Sequence, residues 1–320
     1  MQSPSPSQAL DRRTFLKAAA APTLALPLGT TLSTTLAQAQ SQDSEAPDAP
    51  PGIVDTNLHV GDWPFRHLKY SAPRALADKL KQHRIVEGWA GSFEALFHKN
   101  LSDVNARLAV ACRGIRDLSL RPVGALCPVW PGWEEDLRRC HEIHKMPAIR
   151  LYPAYHQYRL DRPEIRELFA AVQARGMFVQ VAIDLEDPRV HHPALQLEPV
   201  DVRPLTEHLQ AVPEIRVQLL NAQMALSQPG IASLLATRRV TFDLANLEGA
   251  GAIGRLLAGN HWSIKTQLHL SHLMFGSHAP FFPLEAALLR LFESPLDRSQ
   301  LVALMQGNAR HWLPPGPVPG

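Results

Sequence analysis

Asp55, Asn57 and His59 occupy alternate positions in the stretch DTNLH, and alternate residues of an extended strand point to one side. A carboxylate, an amide and an imidazole on one face can accept and donate protons or hold a ligand between them. Arg66, in WPFR, and Arg150, in IRLYPAYHQY, could each grip a substrate carboxylate through a two-pronged guanidinium, with Tyr152 as a neighbouring wall. Both arginines have a plainer reading as structural ion-pair partners. Asp184, Glu186, Asp187, His191 and His192 crowd one stretch without helical or strand periodicity, 184–204. Loops of that length in a compact domain are often lids or binding elements. Their acids and imidazoles suit a polar substrate or a metal, although a solvated, proline-stiffened loop with a local salt bridge to Arg189 explains them more simply.

These residues need a frame, and the chain supplies a rhythm of eight apolar runs. The runs fall at 52–58, 85–91, 121–127, 147–152, 177–183, 215–220, 240–245 and 270–276. Helical periodicity separates them, at 73–84, 102–115, 133–145 and 163–176 among others. Pro163 at the start and Gly176 at the end of the last of these are boundary residues for a helix. Strand, helix, strand in this order implies parallel pairing with right-handed crossovers. Eight repeats in one stretch predict an α/β fold, a closed (β/α)8 TIM-like barrel over 52–313, with 314–320 as a Pro/Gly tail. In such a barrel the chemistry sits at the C-terminal strand ends. No Gly-x-Gly-x-x-Gly follows the first run, which counts against a dinucleotide fold.

The 51 residues before the first run read differently. Arg12 and Arg13, then Phe15, Leu16 and Lys17, a mildly apolar stretch and AQA at 37–39 have the order of a twin-arginine export signal. Residues 40–51 read as a flexible linker. Cleavage after Ala39 would remove Arg12, Arg13, Lys17 and Asp11 from 32 basic and 30 acidic residues, leaving 29 of each. The expected location is the periplasm or the outside of the cell. The export machinery and a small-molecule substrate are the expected partners, with no nucleic-acid footprint, no membrane contact after cleavage and a homo-oligomer left open. Cys112, Cys127 and Cys140 contain no Cys-x-x-Cys pair and read as buried thiols.

DTNLHVGDWPFR at the first run, LMFGSHAPFF at the eighth and GNARHWL near the end together resemble the amidohydrolase superfamily, in the branch related to aminocarboxymuconate-semialdehyde decarboxylases and lactonases. The resemblance implies an amidohydrolase-type barrel with a divalent metal, zinc or manganese, held by Asp-x-His-x-His and by histidines after the fifth and sixth strands. In this chain Asn57 stands for the first histidine, and Ala182 and Asn221 stand for the later two. The aspartate of the family's eighth-strand Gly-Ser-Asp is His278. Any metal would fall to His59, Asn57 and His278, a poor set for zinc because neutral amide oxygens are weak donors. Without it, His59 and His278 on neighbouring staves become the acid–base pair, imidazoles titrating near neutral pH. Each could equally be a hydrogen-bonded barrel histidine. Asn57, Asn221 and Gln180 would hold a carbonyl oxygen or oxyanion. The leading expectation is a hydrolase of a lactone, ester or amide; the alternatives are a decarboxylase of the same superfamily and a non-catalytic binding protein.

Overall fold

The computed structural model describes residues 51–315. The expected export signal lies outside them. Nine strands follow in order: β1 (Ile53–Val60), β2 (Ile85–Ser92), β3 (Ser119–Pro122), β4 (Gly124–Ala125), β5 (Ala148–Leu151), β6 (Phe178–Ala182), β7 (Val217–Leu220), β8 (Val240–Asp243) and β9 (Leu273–Met274). Every neighbouring pair is parallel. β3 and β4 are two halves of one stave, parted at Val123, whose N–H donates to the Ala90 carbonyl at 2.8 Å. The barrel closes where the chain after β9 returns to β1. Thr56 N–H donates to Phe275 O at 3.0 Å, His278 N–H to Asn57 O at 2.8 Å and His59 N–H to Ala279 O at 3.0 Å. The result is a (β/α)8 barrel of eight staves.

Each expected apolar run contributes a stave, with two differences. The third run bends at Val123 instead of running straight through 121–127. In the eighth, Leu270–His272 forms a 3₁₀ turn, so the strand starts only at Leu273. Helices cover the outside as their periodicity requires. α1 (Pro73–Gln82) starts on a proline and buries Leu76, Ala77 and Leu80. α2 (Leu101–Arg113) is capped by the Asn100 side chain, which accepts from Asp103 N–H. The expected helix at 133–145 is α3 (Trp133–Arg138) continued by one π-helical turn, Arg139–Ile143.

Barrel interiors are normally filled by layers of branched apolar side chains. Here a connected polar chain crosses the interior. Thr56 Oγ1 donates to Phe275 O at 2.9 Å and accepts from Gln218 Nε2 at 2.7 Å. Gln180 Nε2 donates to Gln218 Oε1 at 2.7 Å and to Thr56 O at 2.9 Å. Gln180 Oε1 in turn accepts from Arg150 Nε at 2.8 Å. Staves β1, β5, β6 and β7 are thereby tied together by side chains that are all buried. Such a network stabilises only when every member is satisfied.

Thr56→Val keeps the shape of the side chain and strands the Gln218 amide inside the barrel. Its expected cost is about 1–3 kcal/mol, read as a lower urea midpoint with an unchanged slope; an unshifted midpoint would show that the chain of hydrogen bonds does not hold the interior.

Candidate active site

The C-terminal end of β1 places Asn57 and His59 at the mouth, and the segment after β9 places His278 beside them. The His59 and His278 rings meet edge to face with centroids 5.0 Å apart. Asn57 Nδ2 donates to Asp243 Oδ2 at 2.6 Å and to Asn221 Oδ1 at 2.9 Å, joining β1 to the ends of β7 and β8. Gly276 allows this approach, since a Cβ there would stand 2.7 Å from that of Asp243 and 3.1 Å from that of Asn57. Asp55, just below, accepts from Ser277 N–H at 3.0 Å and from the Ser277 hydroxyl at 2.5 Å. Two atoms in this centre, Asn57 Oδ1 and His278 Nδ1, are buried without a hydrogen-bond partner. Polar atoms so placed need a partner and are natural contacts for a ligand.

Arg150 lies on the opposite side of His59. Its guanidinium donates to Leu58 O at 2.9 Å, lies 3.3 Å from Trp89 O and sits 3.0 Å from His59 Nε2. Tyr152 Oη is 3.2 Å from the same nitrogen. A guanidinium can only donate, so the imidazole nitrogen facing it must accept and His59 is held neutral. Gly91 makes room: a Cβ there would come within 2.7 Å of Arg150 Nη1 and 2.9 Å of Tyr152 Oη. The sequence offered an ion pair as the structural role for Arg150, but its partners are neutral. Its charge is balanced by dipoles and by more distant Asp55 and Asp243.

Burial sets the proton affinities. It lowers His59 well below its usual value, with the Arg150 charge adding to the effect, and takes His278 down to about 3. The expectation of two imidazoles titrating near neutral pH therefore fails, because neither can charge in so dry a place. The carboxyls move the other way. Burial raises Asp55 to about 7 and Asp243 to about 6, against the hydrogen bonds that favour their ionised forms. Within this centre the groups that exchange protons near neutral pH are thus Asp55 and Asp243, while burial also raises Asp184, at the start of the long loop, to about 6. Asp55 was visible in the sequence through its alternation with Asn57 and His59, but its shifted affinity follows only from burial.

His278 adopts φ +57° and Asn221 φ +52°, both left-handed. Positive φ is uncommon outside glycine, although asparagine and histidine are among the side chains that adopt it more readily than most. Backbone and ring bonds hold His278 there: its N–H donates to Asn57 O, and its Nε2 meets Leu185 O at 3.0 Å. Strain of this kind collects at functional sites.

An aromatic rim closes the mouth. Phe93 stacks on His59 at 4.6 Å, and Trp63 packs edge-on against Phe93 and Phe281 at 5.6 and 5.1 Å. Arg66 belongs to this rim and not to the centre: its guanidinium covers the Phe281 ring at 4.2 Å and donates to Phe281 O at 2.8 Å. His192 of the long loop stacks on Phe65 at 4.4 Å, while Asp187 pairs locally with Arg189. The loop therefore supplies a cover; Glu186 and Asp184 lie near His191 in it, but among the described residues no group of three or more of its acids and histidines could hold a metal ion. Cys112, Cys127 and Cys140 are buried free thiols away from these contacts.

No protein-family model matches the chain, and no curated protein matches it. Solved structures do. 2,6-Dihydroxybenzoate decarboxylase from Rhizobium aligns with a TM-score of 0.61 at 13% identity, over 82% of this chain and 98% of that one. A dihydroxybenzoic acid decarboxylase from Polaromonas sp. JS666, with bound manganese and 2-nitroresorcinol, aligns at 0.62 and 12%, over 82% and 97%. 5-Carboxyvanillate decarboxylase from Sphingomonas paucimobilis aligns at 0.56 and 10%, over 82% and 99%. The fold is the amidohydrolase-type barrel. Identities this low speak to architecture alone.

The divalent metal implied by the sequence resemblance does not fit these residues. Asn57 turns its N–H hydrogens, not a lone pair, toward Asn221 and Asp243. Ala182 offers no donor atom. His278 Nε2 faces a carbonyl, and the His59 nitrogen that would bind a cation already faces one in Arg150. Among the described residues no group of three or more His, Cys, Asp or Glu could hold a metal ion. The set His59, Asn57 and His278 is corrected accordingly: the three residues share one site, but hydrogen bonds and a guanidinium take the places of coordination bonds.

Two outcomes test this site. Protein purified without a histidine tag should contain well under one equivalent of zinc, manganese or iron by inductively coupled plasma mass spectrometry, and stoichiometric metal would overturn the hydrogen-bonded arrangement. Because the Asp55 carboxyl is raised in the folded chain, the folded state binds more protons than the unfolded one between about pH 4 and 7, so this group's contribution to stability declines as pH rises through that window. Asp55→Asn removes the decline. The melting-temperature advantage of the native chain over Asp55→Asn should therefore shrink from pH 5 to pH 8, and a constant gap would rule out the raised carboxyl.

Proposed function

We propose that the protein is a decarboxylase of a small hydroxy-substituted aromatic acid, working without a conventional metal site. The observation that carries this reading is Arg150: a permanent cation, fully buried, fixed against His59 at the barrel mouth. Decarboxylation leaves an electron pair on carbon, and a positive charge aimed at the oxygen into which that pair delocalises lowers the barrier. The carboxylate carbon leaves as carbon dioxide, and the ring carbon then takes a proton. Asp243, with its carboxyl raised to about 6, is a proton carrier matched to that step near neutral pH. Asn57 Oδ1 and His278 Nδ1, both buried without partners, would accept from a substrate hydroxyl. Phe93, Phe281 and Trp63 would enclose the ring and keep water out.

The hydrolase reading has less support. Attack by water needs a strong base or an activating cation that binds oxygen, and imidazoles depressed as far as His59 and His278 are weak bases. Three of the structural neighbours carry decarboxylase names for hydroxybenzoate or vanillate acids, which fits the proposed substrate class. Substrate entry requires the aromatic rim to open, since Trp63 is only 3% exposed. Export to the periplasm, the expectation from residues 1–39, forms part of the same proposal.

A panel of carboxyl-labelled hydroxybenzoic acids should release labelled carbon dioxide. Arg150→Met should lower kcat/KM by about a hundredfold or more, a loss typical of removing a fixed charge from a transition state, with circular dichroism confirming that the variant folds. Cleavage of lactones or esters with no carbon dioxide release would overturn the assignment in favour of hydrolysis. Tight binding of a panel acid recovered unchanged would overturn it in favour of a binding protein.

A further inference from the structure

At the opposite end of the barrel, the N-terminal strand ends frame a cavity of about 390 Å³. That is within the range of small-molecule sites. Its wall runs from the residues leading into β5 and β6 to Arg216, just before β7, and to the C-terminal segment at Trp312. Among the described residues Lys145, Arg175 and Arg216 line it, and no carboxylate does. Arg216 is half-buried and fixed: its Nη1 donates to Trp312 O at 2.9 Å, and its guanidinium lies 5.4 Å from the Trp312 ring centre and 5.9 Å from that of Phe178. Arg175, also partly buried, is held by a 2.9 Å bond from Nη1 to Ala171 O. Among the described residues neither arginine, nor Lys145, forms an ion pair. Burial already lowers the proton affinity of Arg216, with no anion offsetting it.

Holding guanidinium groups partly out of water without a counter-charge costs free energy, which an anionic ligand would recover. Phe178, Met177 and Trp312, all nearly buried, form its apolar floor, with Trp312 the most exposed of them at 8%. Tethering through one nitrogen leaves the rest of each fork free to donate. We infer that this cavity is a binding site for a small aromatic carboxylate, its ring on the Trp312–Phe178 floor and its carboxylate between Arg216 and Arg175. The site lies across the barrel from Arg150 and stands independently of the function proposed for the mouth. It binds and does no chemistry, since it holds no nucleophile or proton carrier beside the cations except the partly exposed His141.

Two-dimensional ¹⁵N NMR of the full chain, titrated with benzoate, tests this at reporters that the mouth does not touch: the Trp312 indole N–H and the Gly176 amide. Both should shift in a saturable way, with a dissociation constant on the order of 1 mM. Neutral benzamide should bind about tenfold or more weakly, and so should benzoate to Arg216→Gln or to Arg175→Gln, because each removes a charge-assisted hydrogen bond. The Arg175 variant guards against a folding defect in the Arg216 one. Absence of shifts at about 10 mM benzoate, equal binding of benzamide, or undiminished binding by both variants would overturn the assignment.

Discussion

The guanidinium of Arg150 is completely buried and remains charged, and the surrounding structure is organised to hold it. An isolated charge in a protein interior costs several kcal/mol unless its hydrogens are satisfied. Here the acceptors come from several staves: Leu58 O and His59 on β1, Trp89 O on β2 and Gln180 on β6, with Arg150 itself on β5. A displacement of any of them strands a charged donor in a dry interior. The same contact keeps His59 neutral, requires glycine at 91 and starts the chain of amides that runs through Gln180 and Gln218 to Thr56.

The other half of the mouth obeys a complementary rule. Asn57, Asn221 and Asp243 bridge β1, β7 and β8 with short amide bonds, and these fix strand ends that a metal ion would fix through coordination. A hydrogen-bonded bridge carries less charge than a divalent cation. Hydrogen bonds, and at Asp243 the charge of Arg150, only partly offset burial, which raises both carboxyls toward neutrality. The barrel mouth thus has its own proton inventory, with aspartates that titrate in the working range and histidines that do not. Decarboxylation, which needs a charge sink and a proton, suits that inventory better than hydrolysis.

Much of the architecture was legible from periodicity. The eight apolar runs all became staves, because a strand buried on both faces must be apolar along its length and its helix on one face only. Boundaries moved where hydrogen bonding outside the run intervened, as at Val123 and at the turn before Leu273. The meeting of His59 with His278 followed from closure, which makes the first and last staves neighbours. Arg66 and Arg150 looked alike in sequence, yet one covers the rim and the other occupies the centre. Spacing along the chain carries no information about which acceptors surround a side chain.

The amino-acid sequence by itself determined the order of strands and helices and the facing of Asp55, Asn57 and His59, since these depend on hydrophobic periodicity and on local alternation. Tertiary structure alone decided the proton states, the pairing of Asn57 with Asn221 and Asp243, and the choice of Arg150 as the central cation. Those properties arise from desolvation and from contacts between residues as far apart as 222 positions in the chain. Dielectric environment and partner geometry exist only once the barrel has closed.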